Sequence, residues 1–323
     1  MSTNLLRSTF IALSQNRPLR RFAESSRIGR KMSGRFIAGT QVADVLRAAE
    51  ALNREGISVS LDSLGENVYT EAEAHHSADI YHQLLDAIQQ RGLQANVSLK
   101  LTQMGMDLDP NLAYRITSEL VDHAVAADTF VRVDMEGTDY TQPTIDMTRD
   151  IHNQPNHAGR IGTVMQAYLY RCEDDIRALL ADRIRIRLCK GAYKEPPTLA
   201  FPEKKDVDAN YVKLMKILLT SGVYHGMATH DEAIIRATKK FVEEQGIDKR
   251  SFEFQMLYGV RRDLQHSLVK EGYNMRVYIP FGTEWYPYFM RRLAERPANV
   301  LFIAKNLMNN PAASSGVSQN SER

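Results

Sequence analysis

Residues 57–101 read ISVSLDSLGENVYTEAEAHHSADIYHQLLDAIQQRGLQANVSLKL. A β-branched run at 57–62 is followed by a helix-forming segment at 70–90 and by a second short run at 96–101. Two short strands joined by a long helix form a parallel βα unit, because parallel neighbours need a crossover connection. The alternation continues along the chain. Strands are predicted at 130–135, 160–166, 184–190, 225–229, 252–255 and 275–279, with helices such as 111–126 and 284–296 between and after them. About eight βα units in roughly 250 residues predict an α/β fold, a closed (β/α)8 barrel of TIM type; a doubly wound sheet stops sooner and opens on a glycine-rich turn. No GxGxxG and no GxxxxGK followed by Ser or Thr occurs in the chain.

In such a barrel the carboxyl ends of the strands surround the active site. Polar residues stand at those ends here: Asp62 and Glu66, Lys100, Asp134, Gln166, Arg187 with Lys190, Thr229 with His230, Gln255, and Tyr278. One polar strand end is ordinarily the beginning of a loop, but a full ring of them predicts a site. The ring mixes cations, anions, amides and a phenol, which suits a ligand with several distinct polar groups. No trio of His or carboxylates has the spacing of a catalytic zinc, so no metal is expected.

Composition bounds the alternatives. The 323 residues are 43% hydrophobic and 25% charged, ordinary for a globular chain with a sizeable core. A formal net charge of +2 supports no polyanionic partner, and no nucleic acid is expected. The two cysteines, Cys172 and Cys189, are too few for a disulfide framework and form no CxxC pair. No apolar run approaches the roughly 20 residues that cross a bilayer, so a cytoplasmic protein is expected, with a peripheral place on the inner face of the cytoplasmic membrane as the alternative. That alternative comes from residues 1–50, expected to form a basic helical arm: between residues 17 and 35, Arg17, Arg20, Arg21, Arg27, Arg30, Lys31 and Arg35 stand against a lone Glu24. Three readings of the arm stand: a solvated face packed beside the main domain, a contact with anionic lipid, or a transit peptide. The barrel is expected over 51–309, and residues 310–323, small and polar, as a disordered tail.

Seven motifs in order carry a resemblance. They are Ser-Leu-Asp-Ser-Leu-Gly-Glu (60–66), Ser-Leu-Lys-Leu-Thr (98–102), Val-Asp-Met-Glu (133–136), Arg-Leu-Cys-Lys-Gly-Ala-Tyr (187–193), Ala-Thr-His-Asp (228–231), Glu-Phe-Gln-Met-Leu-Tyr-Gly (253–259) and Tyr-Ile-Pro-Phe-Gly-Thr (278–283), closing on Tyr288 and Arg291-Arg292. Along nearly its whole length the chain resembles the proline dehydrogenases, and more closely the short single-function bacterial ones. After Tyr193 it carries Lys194, Glu195 and two prolines, where the long bifunctional members have a tryptophan.

The resemblance implies FAD held across the barrel mouth without a Rossmann fingerprint. It implies Arg187 near flavin N5, where a fixed cation stabilises incoming negative charge, and cofactor contacts from Asp134, Gln166, Lys190, Gly191, Ala192, Thr229, His230, Gln255, Arg292 and Glu295. It places L-proline against Lys100, Leu257, Tyr278, Tyr288, Arg291 and Arg292, with Glu66 pairing with Arg291 as a gate. Arg187, Lys100, Asp134 and Tyr278 are the expected catalytic set. The chemistry of proline agrees: its carboxylate is well met by paired guanidinium groups and its ring by apolar walls. The implied reaction moves hydride from proline C5 to flavin N5, gives Δ1-pyrroline-5-carboxylate and passes the electrons to a membrane quinone. The next oxidation is expected on a separate pyrroline-5-carboxylate dehydrogenase. No residue stands out as a dedicated base; nearby cations lower the pKa of the substrate ammonium instead.

Two competing readings remain at this level. Lysines at barrel strand ends, here Lys100 and Lys190, are where Schiff-base aldolases keep their nucleophile. The basic arm alternatively makes the chain a non-enzymatic membrane- or RNA-binding platform.

Overall fold

In the computed structural model the strands form because short β-branched runs are flanked by Gly, Asn and Asp turns, and each pairs in parallel with its sequence neighbour. The structure describes residues 34–65 and 67–290 in full and the backbone of 291–295. Residues 1–33, most of the expected arm, lie outside the described residues, as do Glu66 and the expected tail.

The barrel strands are β1 (Ser58–Ser63), β2 (Ala95–Leu99), β3 (Val131–Val133), β4 (Ile161–Gln166), β5 (Arg185–Cys189), β6 (Gly226–Ala228), β7 (Glu253–Leu257) and β8 (Asn274–Phe281). They run in the order β1 to β8 and close β8 on β1, with Ser60 opposite Tyr278 and Ser63 opposite Phe281. This is the (β/α)8 fold expected from the alternation. All eight predicted strands are present. β3 is shorter than its pattern, and β7 and β8 run on past theirs to Leu257 and Phe281.

The helices are α1 (Val42–Arg54), α2 (Glu71–Arg91), α3 (Pro110–Ala126), α4 (Thr138–His152), α5 (Cys172–Ala181), α6 (Lys204–Leu219), α7 (Glu232–Glu244), α8 (Arg262–Lys270) and α9 (Trp285–Glu295). Their starts follow from local chemistry. The side chain of Thr70 accepts from Glu73 N at the head of α2, Asp109 caps α3 with Pro110 behind it, and Asp231 caps α7. α2 stops where Gly92 turns left-handed at φ 60°. α1 runs across residue 50, the boundary expected between arm and barrel, and buries Val45, Leu46, Ala49 and Leu52.

Between strands and helices lies a continuous apolar layer, with Val59, Leu61, Val97, Leu99, Ile186, Leu188, Phe254 and Val277 fully or nearly fully buried. Phe36–Gly282 form one compact unit; the described residues from Thr283 onward, which hold α9, belong to a second.

Candidate active site

The side chains facing the barrel axis recur at every second strand position, and in this barrel many of them are polar. The polar ones include Ser60 and Asp62 on β1, Asn96 and Ser98 on β2, Arg132 on β3, Arg185 and Arg187 on β5, Glu253 and Gln255 on β7, and Arg276 and Tyr278 on β8, while β4 and β6 bring the small or apolar Gly162, Val164 and Gly226 to the same face. Lys100 and Asp134 stand just beyond β2 and β3. Barrels of this class normally fill their interior with branched apolar side chains. A buried column of charge costs stability unless every member is paired, so its presence marks a functional site.

Arg187 is the centre of the column, 6% exposed. Its Nε donates to Gln255 Oε1 at 2.6 Å and its Nη1 to Asp134 Oδ1 at 2.7 Å, while Nη2 lies 3.3 Å from Ser98 Oγ. Asp134 Oδ1 also accepts from Ser98 Oγ at 2.7 Å, and Oδ2 accepts from Tyr278 Oη at 2.8 Å. The Arg187 guanidinium lies 5.1 Å from the centre of the Tyr278 ring. Burial, with Asp134 and Asp62 nearby, raises the Tyr278 hydroxyl well above its usual range, so it stays a donor.

Lys100 Nζ sits 3.3 Å from Asp62 Oδ1. Asp62 is 1% exposed. Burial pushes its carboxyl above the ordinary value, against the pull of Lys100, and the Asp134 charge adds to the rise. Gln166 donates through Nε2 to the carbonyls of Met135 and Glu136 at 3.3 and 3.2 Å, and its buried Oε1 has no partner.

Beyond β5, Lys190 Nζ lies 2.8 Å from Asp231 Oδ2 and also pairs with Asp208. Burial opposes the charge on Asp231, but Lys190 outweighs it and holds that carboxyl at about 2. Gly191 has φ +113°, and a Cβ there would lie 2.2 Å from Tyr168 Cδ1, so backbone conformation and the packing of Tyr168 both demand glycine. Ala192 is exposed. Thr229 is buried, its Oγ1 accepting from Asp231 N at 3.1 Å. His230 Nε2 accepts from Leu257 N at 2.9 Å, which puts the proton of a neutral ring on Nδ1, and Leu257 itself is half-buried at the end of β7.

The structure therefore brings Lys100, Asp134, Gln166, Arg187, Gln255 and Tyr278 into one network-bearing barrel interior. Lys190, Gly191, Ala192, Thr229 and His230 follow at the ends of β5 and β6. Tyr288, Arg291, Arg292 and Glu295 lie on α9, in the second unit, and Glu66 is outside the described residues.

Ser60, Ser98, Glu253 and Arg276 belong to the network and were not anticipated. The signal was in the sequence, because Ser58-x-Ser60-x-Asp62, Asn96-x-Ser98-x-Lys100 and Glu253-x-Gln255 continue the polar period inward from the strand ends. Two carboxylates also stitch the rim. Glu136 accepts from Thr102 Oγ1 at 2.8 Å, tying the loops after β2 and β3. Glu195 accepts from Thr138 N at 3.0 Å and Oγ1 at 2.7 Å, tying the loop after β5 to the start of α4.

A flavin is a planar group with several polar edges, and the residues present fit one. They offer a fixed cation in Arg187 and an unsatisfied buried acceptor in Gln166 Oε1. No cluster of His, Cys, Asp or Glu that could hold a metal exists among the described residues, and no described helix is long and apolar enough to cross a membrane.

A family model described as proline dehydrogenase matches residues 45–305. The chain is similar to proline dehydrogenase 1 of Bacillus subtilis (strain 168), 42% identical over 94% of this chain and 99% of that protein. It is also 42% identical to a proline dehydrogenase of Deinococcus radiodurans, over 86% of this chain and 90% of that one. The bifunctional protein PutA of Escherichia coli (strain K12) is 28% identical, and the match spans 24% of its length. Among solved structures, PutA from Bdellovibrio bacteriovorus superposes with a TM-score of 0.80 at 23% identity, covering 96% of this chain and 38% of that one; at that identity the likeness speaks for the fold alone.

Proposed function

The chain belongs to the proline dehydrogenase family and is an enzyme of that kind, and on that premise we propose that it oxidises L-proline to Δ1-pyrroline-5-carboxylate with FAD as cofactor. When bound, FAD supplies the acceptor, at N5, for the hydride that leaves proline C5, and a membrane quinone takes the electrons onward. The observation that carries the reading is Arg187, a buried guanidinium whose plane is held at Nε by Gln255 and at Nη1 by Asp134. A cation that needs no rearrangement stabilises charge developing in the transition state more than a mobile one does.

The other residues take roles around it. Gln166 offers its free carbonyl oxygen to an N–H of the cofactor, and Thr229, His230, Lys190, Gly191 and Ala192 lie along its remainder, with Arg292 and Glu295 assigned to it as well. Leu257 and Tyr278 wall the proline ring, together with Tyr288. Arg291 and Arg292 take the carboxylate, with Glu66 as the gate to Arg291. Lys100 sets a positive charge beside the substrate ammonium, which favours loss of the proton that the amine must shed before C5 can release hydride.

The aldolase reading is weakened by the lysines themselves. A Schiff-base lysine must present a free amine, and Lys100 and Lys190 are both held in ion pairs. Delivery of electrons to a quinone requires contact with a membrane surface; the basic arm is assigned to that contact. The downstream oxidation is assigned to a separate dehydrogenase.

The test is anaerobic addition of L-proline to purified, FAD-loaded protein. Loss of the oxidised flavin absorbance is expected, and protein that stays oxidised under excess proline overturns the proposal.

A further inference from the structure

We infer that Glu253 is a positioning residue for Arg187, acting through the side-chain amide of Gln255. The inference rests on the role proposed for Arg187.

Glu253 opens β7 and is 2% exposed. Its Oε1 accepts from Arg276 Nε at 2.7 Å and from Gln255 Nε2 at 2.6 Å, and its Oε2 accepts from Tyr224 Oη at 3.1 Å. Burial pushes this carboxyl up, but the charge and hydrogen bond of Arg276 outweigh it and hold the group below its ordinary value. Glu253 is therefore ionised, and an ionised carboxylate only accepts.

The Gln255 amide has a donating end and an accepting end, and its neighbours decide which way round it lies. Glu253 takes the donating end. That leaves Oε1 pointing toward β5, where it accepts from Arg187 Nε. A reversed amide would set donor against donor at Arg187 and acceptor against carboxylate at Glu253.

Gln255 must cross a strand to make this bond, since β6 lies between β7 and β5. The β6 residue paired with both Arg187 and Glu253 is Gly226. A Cβ on Gly226 would lie 2.4 Å from Gln255 Nε2 and 2.8 Å from its Cδ, so the crossing depends on the missing side chain. Glu253, Gln255 and Gly226 together thus hold one end of the guanidinium, and Asp134 holds the other.

Three full-length variants test this: Glu253→Gln, the transposed double variant Glu253→Gln with Gln255→Glu, and Gly226→Ala. The readouts are the dissociation constant for FAD, and kcat and KM for proline. In Glu253→Gln the carboxamide can donate as well as accept and Gln255 is free to reverse. FAD affinity and kcat are expected to fall at least tenfold with KM for proline within about twofold. The transposed variant keeps the charge count and again gives Arg187 Nε an acceptor, so its FAD affinity and kcat are expected to recover at least threefold over those of Glu253→Gln alone. Gly226→Ala leaves every charge in place and is expected to lose FAD affinity tenfold, which decides the matter if Glu253→Gln does not fold. Wild-type FAD affinity in Gly226→Ala, or in a folded Glu253→Gln, overturns the inference, and so does a transposed variant no better than the single one. If the parent binds FAD but is not reduced by proline, the proposed reaction fails, while the FAD affinities still decide the inference.

Discussion

Tyr278 and Asp134 are joined across the barrel, Oη to Oδ2 at 2.8 Å, although β8 and β3 are separated by β1 and β2. The same carboxylate holds Arg187 on its other oxygen. Asp134 thus fixes both the cation and the ring of the tyrosine assigned to the substrate.

If Tyr278 walls the proline ring as proposed, a ring held in this way should leave no volume for a 4-hydroxyl group. Admitting 4-hydroxyproline means displacing the ring or burying an unpartnered hydroxyl, at roughly 1–3 kcal/mol, so proline should be preferred about tenfold or more. Tyr278→Ser should narrow the preference chiefly by weakening proline, which loses an apolar wall. Comparison of kcat/KM for both substrates in both proteins checks this, and equal turnover by the wild type removes Tyr278 from the substrate pocket.

Arg187→Lys keeps the charge but loses the fork. A single ammonium cannot occupy both the Gln255 and the Asp134 position, so the cation is no longer held in one place. A loss of about 10²–10³-fold in kcat is expected, the range for removal of one preorganised charge-stabilising donor. Steady-state kinetics with proline measure it; an unchanged kcat places Arg187 away from the chemistry.

Asp62 gives a pH dependence of defined sign. Its carboxyl is raised above 3.8 in the folded protein, chiefly by burial, so its contribution favours folding below the unfolded value and is lost as pH rises through the folded one. Asp62→Asn should therefore be at least as stable as the wild type at neutral pH, with the difference vanishing as pH falls below 3.8. Urea unfolding of the two proteins across that range tests it. A variant less stable at neutral pH would show that the pairing of Asp62 with Lys100 outweighs the burial.

Glu195 caps α4 from a distant loop, because Gly137 at the head of that helix has no side chain to do so. Glu195→Ala should cost about 1 kcal/mol, typical of a lost cap. Hydrogen exchange at the Thr138 amide should rise about fivefold, with a smaller rise in Glu195→Gln, which keeps one acceptor. Equal protection in all three proteins removes the clip.

Replacing Arg291 or Arg292 with Met should weaken proline capture by about 1.5–3 kcal/mol, the range for hydrogen bonds to charged groups. The loss should appear mainly in kcat/KM for proline, and for Arg292 also in FAD affinity. Unchanged values in both variants take the pair out of the substrate site.

The sequence alone determined the eight strands, their order and the polar character of their ends. Each of these is local information: β-branched runs bounded by turn residues predict strands one by one, and 57–62 or 160–166 differ from Ser58–Ser63 or Ile161–Gln166 by no more than a residue at either end. Order then follows from parallel crossovers. Tertiary structure alone decided the partners. Lys190 stood at a strand end like any other cation until the fold brought Asp208 of α6 and Asp231 at the head of α7 to it. Arg187 finds its neighbours on β1, β2 and β7 and beyond β3, at sequence separations of 127, 89, 68 and 53 residues. Those contacts depend on the stagger with which the barrel closes, Ser58 against Arg276 through Ser63 against Phe281. A one-residue slip would turn every inward side chain outward. A period-two pattern says which residues share a face, but only closure of the sheet says which of them meet across the axis.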